Sequence, residues 1–170
     1  MKKILISLFA VTVAILPATV WPEDGFILKS GEGEILGNGI VVKASPRTGT
    51  EDSILVEQTF ARGGTTGLHL HRQGDEMFYI VSGRGTATLN GLEKTIGPGD
   101  MMFVPASAAH RIRNIDNDDP LTVVFFMDSP ELVDLFRAIH ERYQRDPNRP
   151  ITPDEFANFE RQTGGGKSVN

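Results

Sequence analysis

The 170-residue chain contains no cysteine. That excludes a disulfide framework, a cysteine lipidation site and cysteine nucleophile chemistry, so folding cannot depend on oxidation. Positive charge is also scarce: 17 Lys and Arg stand against 22 Asp and Glu, for a formal net charge of -5. A phosphate backbone needs a clustered basic patch, and none is visible, so no nucleic-acid partner is expected. No apolar run reaches the roughly twenty residues needed to cross a bilayer as a helix. The 18 glycines form neither GxGxxG nor Walker spacing, which removes a phosphate loop. The polar stretch from Asn114 to Asp119 lacks the spacing and glycine of an EF-hand and reads as a solvated turn.

What is present suits a turn-rich, all-β protein of one domain with appendages: 39% hydrophobic residues, 10 Pro and many glycines. Met1-Lys2-Lys3 followed by the apolar run Ile4 to Leu16 has the layout of a secretory signal, assigned to residues 1–20. Pro17 ends the run too early for a membrane anchor. Cleavage is expected between Ala18 and Trp21 although no clean small-x-small site is present, so uncleaved retention stays open. The expectation is export, periplasmic or secreted, with no membrane contact after cleavage.

From Gly25 to Asp128 short apolar runs alternate with turn residues. Candidate strands include Phe26-Ile27-Leu28, Glu34-Ile35-Leu36, Ile40-Val41-Val42 and Ser53 to Phe60. Further on, Gly85 to Leu89 and Leu92 to Ile96 flank Asn90-Gly91, a hairpin turn in which both central residues favour positive φ. In an extended His69-Leu70-His71, side chains at i and i+2 share a face, so two imidazoles point into one space. Gly74 allows a turn, and Glu76 opens the strand-like run Met77 to Val81, returning a carboxylate toward that space. His110 heads a further alternating segment, His110 to Asn114, and offers a third imidazole.

The spacing of Gly63, His69, His71, Glu76 and Gly83 resembles the first motif of the cupin superfamily, and Gly99, Pro105, His110 and Asn114 resemble the second. One departure is visible, Ser107 where a glycine is common, which bears on loop geometry more than on ligands. The resemblance implies a cupin double-stranded β-helix, a jelly-roll barrel over residues 25–128, and a metal held by His69, His71, Glu76 and His110. It also implies a homodimer.

Three imidazoles and a carboxylate suit a divalent transition metal, Fe, Mn, Ni, Cu or Zn, more than Ca or Mg. Alternation puts Phe78, Ile80 and Ile112 on the ligand faces, so they are expected to line the pocket. No second acid or lysine accompanies the ligands on those strands, which weakens a sugar-phosphate isomerase. The leading expectation is an exported, dioxygenase-like oxidoreductase acting on a small molecule, with Glu76 assisting proton transfer. The alternative is a non-catalytic cupin that binds or senses a small molecule in the cell envelope.

Residues 129–163 read as two helices. Asp128-Ser129-Pro130-Glu131 starts the first, with the apolar stripe Leu132, Leu135, Phe136, Ile139 and Tyr143, and Thr152-Pro153-Asp154-Glu155 is a capping box for the second. The helices are expected to pack back on the barrel or on a second subunit, with a lid over the site as the sharper alternative. The glycine-rich residues 164–170 are expected to be disordered.

Overall fold

The computed structural model describes residues 25–116 and 118–169. The expected signal segment lies outside them. In chain order the elements are β1 (Glu34–Ile35), β2 (Ile40–Ala44), β3 (Ile54–Phe60), β4 (His69–Leu70), β5 (Glu76–Ser82), β6 (Gly85–Leu89), β7 (Leu92–Ile96), β8 (Met101–Val104), β9 (His110–Asn114), β10 (Leu121–Met127), α1 (Glu131–Arg145), α2 (Pro153–Thr163) and β11 (Lys167–Ser168).

Two antiparallel sheets form the barrel, one ordered β1-β2-β3-β10-β5-β8 and the other β11-β4-β9-β6-β7. Period-two patterning decides what each strand buries. In β5, Glu76, Phe78 and Ile80 turn inward and Met77, Tyr79 and Val81 outward; in β10, Leu121, Val123, Phe125 and Met127 are all buried. Each such large apolar side chain contributes about 1.5–3 kcal/mol on burial. Asn90 and Gly91 both take positive φ, 48° and 82°, and close the β6–β7 hairpin as the sequence predicts.

Several local expectations are corrected. Phe26-Ile27-Leu28 joins no sheet, and β1 stands as the edge strand beside β2. The cap expected just before Pro130 does not form: α1 begins at Glu131 with Pro130 at its N-cap position and no side chain capping it. The Asp128 carboxylate instead accepts a hydrogen bond from the Asp75 amide at 2.6 Å, fastening the β4–β5 loop to the end of β10. The Thr152 capping box does form, with Glu155 N–H donating to Thr152 Oγ1 at 3.2 Å and Thr152 N–H to Glu155 Oε2 at 3.1 Å.

Residues 164–169 differ most from expectation. Gly164 ends α2 in a left-handed conformation, φ 76°. Gly165 then passes so close to α1 that a Cβ would stand 2.7 Å from the Glu131 carbonyl oxygen and 2.8 Å from Leu135 Cβ. Beyond it Lys167 pairs with Leu70, Ser168 pairs with His69, and Val169 N–H donates to the Leu68 carbonyl at 3.0 Å. The glycines serve close backbone passage, and the segment becomes a strand rather than a disordered tail. No helix among the described residues is long and apolar enough to cross a membrane.

Candidate metal centre

His69 on β4 stands directly opposite His110 on β9, and opposed residues of an antiparallel pair project to the same face. His71 lies just past β4, where its carbonyl accepts a 2.6 Å hydrogen bond from the Ser107 amide. The ring centroids are 4.8 Å apart for His69 and His71, 4.2 Å for His69 and His110, and 5.3 Å for His71 and His110. One nitrogen from each ring lies within 4.8 Å of the others, so the three can hold a metal ion. Glu76 enters from β5 in the opposite sheet, with Oε2 at 3.0 Å from His110 Nε2 and 3.5 Å from His71 Nε2. The structure thus brings together all four residues expected from the sequence. Asn114, last residue of the second motif, takes a different part: its amide donates to the carbonyls of Phe60 and Asp119, both at 3.0 Å, and fixes the far end of β9.

Hydrogen bonding sets the ring tautomers. His110 Nδ1 lies 3.0 Å from the Ala108 carbonyl and His69 Nδ1 lies 3.3 Å from the Gly67 carbonyl. A carbonyl only accepts, so each Nδ1 carries a proton, and in the neutral ring Nε2 is the nitrogen left with a lone pair for a metal. His110 Nε2, both nitrogens of His71 and Glu76 Oε2 are buried without a hydrogen-bond partner. A neutral His110 with its lone pair on Nε2 would face a carboxylate oxygen at 3.0 Å, acceptor against acceptor, which a proton shared between the two groups relieves. Each such buried, unsatisfied group costs about 1–3 kcal/mol, whereas a divalent cation turns the same contacts attractive.

Burial, reinforced by His110 and His71, lowers the His69 pKa to about 4, so this ring is neutral at pH 7. Burial pushes the Glu76 carboxyl up, but the His110 and His71 rings beside it outweigh this and hold it below its ordinary value, which keeps it ionised. Among the described residues, its ion-pair neighbours are histidines alone. A buried nitrogen and oxygen donor set around an anion fits a first-row divalent metal.

A cavity of about 1550 Å³ opens onto this cluster through His69, Glu76 and Phe78. Its barrel side includes Phe60 and Phe125; its other side is α1, with Leu132, Leu135 and Phe136, and α2, with Phe156 and Ala157. Of the expected lining residues only Phe78 borders it. Ile80 and Ile112, 1% and 0% exposed, belong to the barrel core instead, because alternation fixes the face of a strand and not the depth along it. The stripe on α1, read as packing, both packs on the core and roofs the cavity. Exposed Arg72, Arg161 and Lys167 also border it, and they escaped notice because they sit on a loop, on α2 and on β11 rather than on the ligand strands.

Two antiparallel sheets closing on inward histidines and a glutamate form a double-stranded β-helix, the fold of the cupin structures. Residues 56–127 match the cupin-domain family. An uncharacterized protein of Methanocaldococcus jannaschii is 36% identical over 63 residues, 37% of this chain and 50% of that one. The oxalate-binding protein of Thermotoga maritima is 27% identical over 100 residues, 59% of this chain and 81% of that one. Quercetin 2,3-dioxygenase of Bacillus subtilis is 33% identical over 92 residues, 52% of this chain and 27% of that one. The chain thus spans half of the archaeal protein and about a quarter of the dioxygenase. A crystal structure of a predicted oxalate decarboxylase from Thermotoga maritima superposes with a TM-score of 0.50 at 24% identity, covering 53% of this chain and 78% of that one, and shares the fold.

Proposed function

We propose that this cupin is a metal-dependent oxidoreductase of dioxygenase type, in which His69, His71, His110 and Glu76 hold one first-row divalent metal. The observation that carries the reading is the set of buried, unpartnered donor atoms converging from β4, β5 and β9. A bound metal supplies Lewis acidity and, for Fe, Mn, Ni or Cu, redox chemistry. The chain contributes the surroundings. The Ala108 and Gly67 carbonyls hold His110 and His69 with Nε2 turned inward. Glu76, ionised at neutral pH, serves as the proton acceptor for a substrate lying against it. Phe78 and Phe125 present apolar surface beside the cluster and keep water from that space. Similarity to the quercetin dioxygenase supports the oxidative reading.

A second reading is a binding protein that retains a small molecule without turnover. The oxalate-binding relative supports it, since the chain spans 81% of that protein's length.

Metal analysis of the untagged, full-length protein tests both readings, alongside His69→Ala combined with His110→Ala. The expected result is near one equivalent of metal in the parent, lost in the double variant, with oxygen uptake on a carbon-rich substrate. Metal and ligand retention without oxygen uptake selects the binding reading. A parent with no metal, whose melting temperature is unmoved by added Fe, Mn, Ni, Cu or Zn, overturns the metal centre.

A further inference from the structure

We infer that the ligand of this site is an amphipathic molecule, with an extended apolar body and one anionic oxygen-donor head, seated between the barrel and the C-terminal helices. The inference rests on the metal-site reading above and adds the chemical class of what the site receives.

Three observations converge on it. The first is size: at about 1550 Å³ the cavity exceeds the roughly 300–1,000 Å³ of an ordinary small-molecule pocket. A ligand of a few atoms on the metal would leave most of that apolar surface in water. The second is the character of the wall. Phe136, Ile139, Tyr143 and Phe156 on the helices border the cavity and are only partly buried, a lining that rewards burial of hydrocarbon or aromatic surface. The polar ligand-binding groups, His69 and Glu76, lie together at the barrel. The third is charge. Arg72, Arg161 and Lys167 border the cavity from three separate elements, with no ion pair among the described residues, and are set against Asp154 and Glu160 on α2. Arg72 directly follows His71 whereas Asp154 stands in the first turn of α2, so beside the histidines, with Glu76 engaged at the metal site, the charge suits a carboxylate or a similar anionic oxygen group.

About half of the lining residues belong to 131–167, outside the stretch that matches the cupin family. Selectivity is therefore this chain's own addition to a shared barrel.

The test is calorimetric titration of the metal-loaded, full-length protein with butanoate, octanoate and dodecanoate below their micelle concentrations, and with dodecyltrimethylammonium as the cationic counterpart. Affinity should rise about fourfold for each added methylene across the series. The ammonium should bind about tenfold more weakly than dodecanoate or worse. Ala157→Trp, which fills the α2 wall away from the metal ligands, should weaken dodecanoate about tenfold with metal content unchanged. Affinity that is flat with chain length, equal binding of the ammonium, or no binding at any length because protein fills the cavity overturns the inference. The series on the parent decides this even where Ala157→Trp folds poorly. A metal-loaded parent with a flat series refutes the ligand class and leaves the metal centre standing, whereas a steep series in a protein that holds no metal refutes the metal centre alone.

Discussion

Replacing Ser107 by glycine should stabilise the protein. Ser107 has φ 67°, a left-handed conformation that costs an L-residue about 1–2 kcal/mol and costs glycine almost nothing. Glycine also gains freedom in the unfolded chain, which returns roughly 0.4–1 kcal/mol of that difference. The side chain is exposed, so no packing is lost. The amide that holds the His71 carbonyl at 2.6 Å is kept in either residue. The net expectation is a gain of about 0.5 kcal/mol, with about 1.5 as the upper bound. For a chain of this size that is a rise in melting temperature of roughly 1–5 °C. Calorimetric melts of Ser107→Gly and Ser107→Val, with and without metal, measure it directly. Val should fall below the parent by at least about 1 kcal/mol, because a β-branched side chain fits this conformation worse than serine. A Ser107→Gly protein that melts lower than the parent, or that binds less metal, would refute the account, since the hydroxyl would then be contributing something the geometry does not contain.

Two further perturbations probe the C-terminal extension. Gly165→Ala places a Cβ 2.7 Å from the Glu131 carbonyl oxygen and 2.8 Å from Leu135 Cβ, so β11 should detach from β4 and trypsin should cut after Lys167 faster than in the parent; unchanged cleavage and melting would show that the strand is not held by this passage. Arg137 binds both oxygens of Glu34, at 2.8 and 2.6 Å, and Asp134 at 2.9 Å, so Arg137→Met should cost about 1–3 kcal/mol near pH 7. The hydrogen bond from Arg137, working against burial, holds Glu34 below its ordinary 4.5. A carboxyl whose folded pKa lies below its unfolded value stabilises fully above the unfolded pKa and loses that contribution as pH falls through the folded one. The gap between parent and variant in urea unfolding should therefore narrow below about pH 4.5, and a gap of constant size would count against the ion pair as its source.

How far the sequence discloses the molecule depends on the range of the rule involved. Alternation in Glu76-Met77-Phe78-Tyr79-Ile80 and the positive φ demanded by Asn90-Gly91 act over a few residues, and both appear in the structure as the sequence predicts. The convergence of His69, His71, Glu76 and His110 is not local, yet motif spacing exposes it because the strands that carry them have fixed partners in a double-stranded β-helix. Ile80 and Ile112 mark a limit, since a period of two says which face a residue takes and nothing of how far it lies from the mouth. The stripe on α1 marks another, because an apolar helix face reads the same whether it meets packed side chains or a hollow. Gly164-Gly165-Gly166 has the composition of a flexible linker, and only the nearness of α1 reveals that the absent side chains serve contact instead.

The single ladder pair between β4 and β9 has a consequence for how the protein is held together. His69 and His110 are distant in sequence and meet through one paired position, in a chain that has no cysteine with which to fasten them. A metal held by the two rings, as proposed above, would join those strands as a removable staple. A disulfide acts chiefly by restricting the unfolded chain, but such a link would act by mass action on the folded one: free metal at a hundred times its dissociation constant would add about 2.7 kcal/mol. The strength of this junction would then follow metal supply and acidity, and the redox state of the surroundings would reach it only through the metal ion itself.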